Sequence, residues 1–291
     1  MQASELPSWP HHELSRFVEA GGVRWHVQRS GSGPSLVLVH GTGSSTHSWR
    51  DLIPLLARDY SVLAADLPGH GFSSAARGAD SSIAGLAKHL SELLRALEVD
   101  PDYCVGHSAG AVILCRLALD GCIAPRCIVG INGAFLPPRG ASRVLFAPLA
   151  QLLARSSVLP RLIARRSANS RSVARIIEST GSRLDSAGID LYVRLVRDPA
   201  HVAGALAMLS RWDLHAFEKD LPRLATPLSL LVGENDRAVP PAEAVTVQKR
   251  LPQAEVCRLP GLGHLAHEEE PQRVAQELAR ICRLRSMHFA T

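Results

Sequence analysis

A serine set between glycines is the first place in this chain where chemistry is written. Residues 106–110 read Gly-His-Ser-Ala-Gly, a G-x-S-x-G that follows one short apolar run (103–107) and opens another (109–119). A hydroxyl is a poor nucleophile at neutral pH, so Ser108 would need an imidazole to take its proton and a carboxylate to fix that imidazole's tautomer. The glycines suit a sharp strand-to-helix turn, where only small neighbours allow the backbone to crowd and the serine to project above a sheet. Outside that setting the same five residues would be an ordinary glycine- and serine-rich helix start.

The carboxylate is expected at Asp236, in Gly-Glu-Asn-Asp at 233–236, and the imidazole at His264, in Gly-Leu-Gly-His at 261–264. Each lies just past an apolar run (227–232 and 254–259), and the carboxyl ends of strands are where wound sheets place their sites. Glu234 is the alternative acid. His267 is the alternative base, but it leads into the acidic run 268–270, whereas His264 directly follows a glycine-flexed loop. Acyl transfer also requires two N–H donors aimed at the developing oxyanion. Ala109, the residue after the serine, supplies one; Thr42 in His-Gly-Thr-Gly at 40–43 is assigned the other, with Gly43 as the alternative. Asp66 and His70, in Asp-Leu-Pro-Gly-His-Gly at 66–71, also pair an acid with a histidine, yet Pro-Gly marks a turn that Asp66 would cap. No phosphate loop, dinucleotide fingerprint or metal-ligand spacing occurs, so neither a cofactor nor a metal is expected.

These residues need a scaffold, and the apolar pattern describes one. Short apolar runs at 36–40, 61–66, 103–107, 127–132, 227–232 and 254–259 alternate with helix-like stretches at 49–58, 83–97, 109–119, 242–250 and 272–283. That alternation predicts an α/β fold with a mostly parallel wound sheet. Upstream, residues 15–19 and 23–28 flank Ala-Gly-Gly and read as a hairpin on an antiparallel edge. Between 134 and 215 the alternation stops and five helix-like pieces follow, at 144–155, 159–166, 170–177, 189–196 and 202–209. The expected organisation is therefore a core from 1–133 and 216–291 with an all-helical cap inserted at 134–215.

Charge is distributed unevenly over that plan. The 291-residue chain carries +5, but residues 134–215 hold twelve arginines, no lysine and five acids, so the inserted segment is +7 and the remainder −2. Guanidinium groups fork onto carboxylates and phosphates, and arginine alone is an unusual choice for a merely solvated face. Aromatic residues are only 4% and no nucleic-acid module is visible, which argues against a nucleic-acid partner. Residues 144–164 mix Leu, Phe, Val and Pro with flanking Arg, a makeup suited to peripheral contact with an anionic membrane. No apolar run is long enough to span a bilayer and no secretory signal is apparent, so a cytoplasmic location is expected. The six cysteines show no pairing or zinc spacing and read as reduced, mostly core thiols.

From residue 24 to residue 283 the chain resembles the α/β-hydrolase fold superfamily, through HGTG, DLPGHG, GHSAG, GENDRAVPP and GLGHLAHEE in that order. The order Ser, Asp, His is the one these hydrolases use. Within the superfamily it is most similar to the magnesium chelatase accessory proteins of bacteriochlorophyll biosynthesis (the BchO type). The residues carrying that likeness are SRFVEAGGVRWHVQRSGSGPSLVLVHGTGSSTHSW, GTGSRLDSAGIDLYVRLVRDPAHVAGALAMLSRWDL and VGENDRAVPP. The resemblance implies a nucleophile at Ser108, an acid at Asp236 and a base at His264. It also implies a task near magnesium insertion into protoporphyrin IX, a tetrapyrrole or its ester as the small-molecule substrate, and magnesium chelatase subunits as partners. Serine at the elbow favours hydrolysis of an ester, thioester, amide or carbon–carbon bond over dehalogenation, which in similar folds uses aspartate there. The alternative is a non-catalytic protein that binds or delivers a tetrapyrrole on the same scaffold.

Overall fold

The computed structural model describes residues 1–75, 80–137, 160, 161, 164 and 169–288. Eight strands form one sheet: β1 (Ser15–Ala20), β2 (Val23–Ser30), β3 (Ser35–Val39), β4 (Ser61–Ala65), β5 (Tyr103–His107), β6 (Cys127–Ile131), β7 (Leu228–Gly233) and β8 (Glu255–Leu259). Their spatial order is β1-β2-β4-β3-β5-β6-β7-β8. The hairpin β1–β2 turns on Gly21 and Gly22, both at positive φ, and pairs antiparallel; β2 also meets β4 antiparallel, and every later pairing is parallel. The order reverses beside β3, the kind of switch point where wound sheets open a crevice at their carboxyl ends.

Strand alternation divides the core into two layers. Val37, Val39, Leu63 and Leu230 face one side, where they pack on α2 (Ile83–Ala96), α3 (Ala109–Leu119) and α8 (Ala242–Arg250). Leu36, Leu38, Val62 and Leu231 face the other, against α1 (Ile53–Leu56) and α10 (Pro271–His288). Residues one apart point to opposite faces of a strand, and both faces here are covered by helices, which explains why these strands are apolar throughout rather than alternating. The helix expected over 49–58 is broken into a 3-10 turn at Thr46–Trp49 and the single turn α1, which opens on Ile53 with Pro54 next; proline suits a first turn but not a helix interior.

Between β6 and β7 the described chain is helical: α4 (Ser170–Ser179), α5 (Ser186–Arg197), α6 (Pro199–Ser210) and α7 (Leu214–Asp220). Each has an Asn or Asp N-cap whose side chain accepts from the first turn: Asn169, Asp185, Asp198 and Asp213. Such caps satisfy amides the helix leaves unpaired. They also occupy three of the segment's five acids. The expected helices at 144–155 and 159–166, and the expected membrane-contacting stretch 144–164, lie outside the described residues apart from 160, 161 and 164. Among the described residues no helix is long and apolar enough to cross a membrane. The described thiols are unpaired, with Cys104, Cys115, Cys127 and Cys282 buried, Cys257 half-buried and Cys122 exposed. A short helix α9 (Ala266–Glu269) precedes α10.

Candidate active site

Ser108 stands between β5 and α3 with φ 50° and ψ −115°. A serine in this left-handed region is strained, and the surroundings hold it there. A Cβ on Gly106 would lie 2.3 Å from the Ala111 nitrogen, and one on Gly110 would lie 2.1 Å from the Val39 carbonyl oxygen. The two glycines of G-x-S-x-G are therefore required by contact with backbone. Ser108 N–H donates to Ile131 O at 3.0 Å, and its own carbonyl accepts from Ala134 N–H at 3.2 Å, so the turn is pinned to the end of β6.

Asp236 and His264 meet across the ends of β7 and β8. His264 Nδ1 lies 2.8 Å from Asp236 Oδ2, and the other carboxylate oxygen accepts from Ala238 N–H at 2.8 Å and Val239 N–H at 2.9 Å. Those amides fix the carboxylate, and the ionised acid in turn selects the Nδ1–H tautomer, leaving Nε2 free to accept a proton. Among the described residues no hydrogen bond joins the Ser108 hydroxyl to His264; such bonds commonly close only around a substrate. The ring of His107, the residue before Ser108, packs at a tilt against that of His264 with centroids 4.7 Å apart.

The alternatives fall elsewhere. Glu234 is turned to Arg258 at 3.8 Å. His267 is buried between Trp49 and His107, its ring 4.6 Å from each. Burial, followed by the charges of His264 and Arg50, holds its pKa down to about 3. It is a packed neutral ring with no carboxylate partner among the described residues.

Ala109 opens α3, where backbone N–H groups have no intrahelical acceptor. Thr42 and Gly43 lie in a turn closed by Ser44 N–H donating to Gly41 O at 3.2 Å. His40 supports that turn from beneath, its Nδ1–H donating to Gly41 O at 2.7 Å while Nε2 accepts from Leu67 N–H at 2.9 Å. The Thr42 hydroxyl reaches the Met208 sulfur at 3.3 Å. Gly43 O accepts from His201 Nε2 at 3.2 Å, and His201 Nδ1 accepts from Gly71 N–H at 3.0 Å. One imidazole of α6 thereby joins the two loops that follow β3 and β4.

Asp66 does more than cap its own turn. It is fully buried and accepts from Thr46 N–H at 2.6 Å, Phe72 N–H at 2.8 Å and His26 Nδ1 at 2.8 Å. Burial alone would raise its pKa, but His26 and His40 together with those hydrogen bonds hold it well below the usual carboxylate range. Its role is to knit β2, the chain leaving the Gly41–Ser44 turn and the loop after β4.

Three further residues, whose contacts are invisible as sequence patterns, bring the helical segment onto the functional loops. Tyr192 of α5 donates to Glu268 at 2.7 Å and comes within 3.4 Å of the Ser44 hydroxyl. Ser182 accepts from Leu265 N–H at 2.7 Å. Thr180 O accepts from Arg237 N–H at 3.0 Å. Of the segment's arginines, Arg194 turns inward to the Ser8 and Glu5 carbonyls and lies over the Trp9 ring, while Arg161, Arg171, Arg175 and Arg183 are exposed. Among the described residues no cluster of three or more His, Cys, Asp or Glu could hold a metal ion.

With a wound sheet, a serine elbow and an Asp–His pair at the strand ends, residues 34–271 match the model of the α/β hydrolase fold, and the chain belongs to that family. Over 271 residues it is 38% identical to the magnesium-chelatase 30 kDa subunit of Rhodobacter capsulatus, covering 92% of this chain and 94% of that one. A shorter stretch of 109 residues, 36% of each chain, is 39% identical to a fluoroacetate dehalogenase of Burkholderia sp. Among solved structures, an α/β hydrolase fold protein from Burkholderia ambifaria superposes with a TM-score of 0.75 at 24% identity, covering 91% of this chain and 97% of that chain.

Proposed function

We propose that this protein is a serine hydrolase of an ester, thioester, amide or carbon–carbon bond, serving as an accessory at the magnesium-protoporphyrin step of bacteriochlorophyll biosynthesis. The observation that carries the reading is the 2.8 Å bond from His264 to an Asp236 carboxylate held by two backbone amides, set beside a strained serine. In this reading Ser108 Oγ attacks the acyl carbon as its proton passes to His264 Nε2, and Asp236 stabilises the resulting imidazolium. The amides of Ala109 and Thr42 receive the oxyanion. His264 returns the proton to the leaving group, and water then releases the acyl enzyme by the same route. Residues 134–215 act as a cap over the cleft, and no cofactor takes part. Serine at position 108 separates this chemistry from the dehalogenation named for one relative.

The second reading is a non-catalytic tetrapyrrole-binding or delivery protein for magnesium chelatase. The likeness to a chelatase subunit over nearly the whole chain supports it, as do the exposed cap arginines, whose forked guanidiniums suit porphyrin propionates. One experiment separates the two: turnover of short and medium chromogenic esters by wild type and Ser108→Ala, with protoporphyrin binding followed by absorbance in the same samples. Serine-dependent turnover is expected. Tight porphyrin binding with equal, negligible turnover in both proteins would replace the hydrolase by the carrier.

A further inference from the structure

Asn132 stands directly after β6 with φ 48° and is 2% exposed. Asparagine and glycine are the residues that accept this left-handed backbone most readily. Its side chain has two N–H donors and one carbonyl oxygen, and all three are matched. Nδ2 donates to Gly263 O at 2.9 Å and to His264 O at 2.8 Å, and Oδ1 accepts from Gly233 N–H at 2.7 Å. Gly233 ends β7 just before the acid loop, and Gly263 and His264 form the base loop. A single amide thus bridges the roots of both. The His264 carbonyl also accepts from His107 Nε2 at 2.9 Å, and His107 adjoins Ser108.

We propose that Asn132 is a positioning residue, whose amide sets where the His264 ring stands relative to Asp236 and Ser108. It touches neither substrate nor the reacting atoms. No other side chain of its size offers two donors and an acceptor: aspartate would turn an oxygen toward two carbonyls, and leucine would leave two carbonyls and an N–H unpaired in a buried place. Its left-handed backbone, which asparagine tolerates better than other side chains, is the second sign that the position favours this residue. The proposal rests on the hydrolase reading for its consequence in catalysis, but the hold on His264 can be measured apart from it.

The test compares Asn132→Asp and Asn132→Gly with wild type. Glycine keeps the backbone conformation without the amide, and aspartate keeps the shape without the donors. Each variant is first shown to unfold cooperatively on heating; if the aspartate variant does not fold, the glycine variant decides. The readouts are the low-field proton resonance of His264 Nδ1–H, assigned by its loss in His264→Gln, and kcat and KM for a p-nitrophenyl ester. We expect the resonance to broaden or vanish and kcat to fall by about 10- to 100-fold with KM within about twofold, since small misplacement of a catalytic group costs on that order. A folded variant with resonance and kcat unchanged overturns the proposal. Should wild type itself prove inert on esters, the hydrolase reading fails, and the resonance alone decides: its loss in Asn132→Gly supports the hold on His264 and its persistence refutes it.

Discussion

The Tyr192 phenol donates a 2.7 Å hydrogen bond to Glu268, tying helix α5 to the chain just beyond His264. Arg50 Nη1 meets the other carboxylate oxygen at 2.5 Å. The carboxyl group has no exposure of its own. Burial therefore raises its pKa to about 7 against the opposing pull of Arg50 and Tyr192.

That shift fixes the sign of a first prediction. Between the ordinary 4.5 and about 7, the folded protein holds a proton on Glu268 that the unfolded chain releases, so this group contributes stability that grows as pH falls through that window. Glu268→Gln removes the contribution. Urea unfolding of the variant should show a stability deficit that widens toward acid by about 1 kcal/mol per pH unit. A deficit that stays flat from pH 8 to pH 5 would mean that the carboxylate stays ionised in the fold.

The histidines act in the opposite sense. His40, His47, His70, His107, His201 and His267 are all buried, and burial is the largest cause lowering each. His201 is held to about 4 and His267 to about 3. Near pH 5 the unfolded chain takes up protons that the fold refuses, so stability present above about 6.5 is lost as pH falls. His201 and His267 each contribute a slope of up to about 1.4 kcal/mol per pH unit over that range, Glu268 offsets one of them, and the other four rings act in the same direction. The wild-type unfolding free energy should drop by on the order of 2 kcal/mol between pH 6 and pH 5; a flat profile would show that the rings are protonated in place.

Strain at Ser108 predicts a separation of stability from activity. Glycine accepts φ 50° without penalty, so Ser108→Gly removes the nucleophile and the strain together. Thermal and urea unfolding should show a gain of about 1 kcal/mol or no loss, partly offset by a more flexible unfolded chain, while ester turnover disappears. A clear loss of stability would mean that the serine side chain supports the elbow it strains.

How much of this was legible beforehand follows from the range of each signal. β5 and α3 begin and end where the apolar pattern placed them, because the elbow is local: glycines, serine and flanking runs lie within seventeen residues of sequence. The choice between Glu234 and Asp236 was not local. Both occupy one loop, and only the fold shows that Asp236 faces His264 while Glu234 faces Arg258. Asn132, Tyr192, His201 and Glu268 carried no pattern that pointed to these contacts, since their partners lie far away in sequence and are set by packing. Residues 49–58 read as one amphipathic helix, whereas the fold has a 3-10 turn ending at Trp49 and a separate single turn at Ile53–Leu56 with Pro54 at its start, a break that periodicity does not register.

The docking of α6 yields the last prediction. A Cβ on Gly204 would stand 2.1 Å from Gly69 O, a backbone atom in the loop after β4 that cannot swing aside. On the same helix His201 bonds Gly43 O and Gly71 N–H, and Met208 meets Thr42. Gly204→Ala must push α6 off those loops, so the expected cost is about 1–3 kcal/mol, typical of forced overpacking. If the damage works by withdrawing His201, then His201→Gln in the Gly204→Ala background should cost much less than in wild type, a coupling of about 0.5–3 kcal/mol in a double-mutant cycle. Additive losses would show that the glycine contact and the histidine bridge hold the helix independently, and that the Gly41–Ser44 turn keeps its shape without α6.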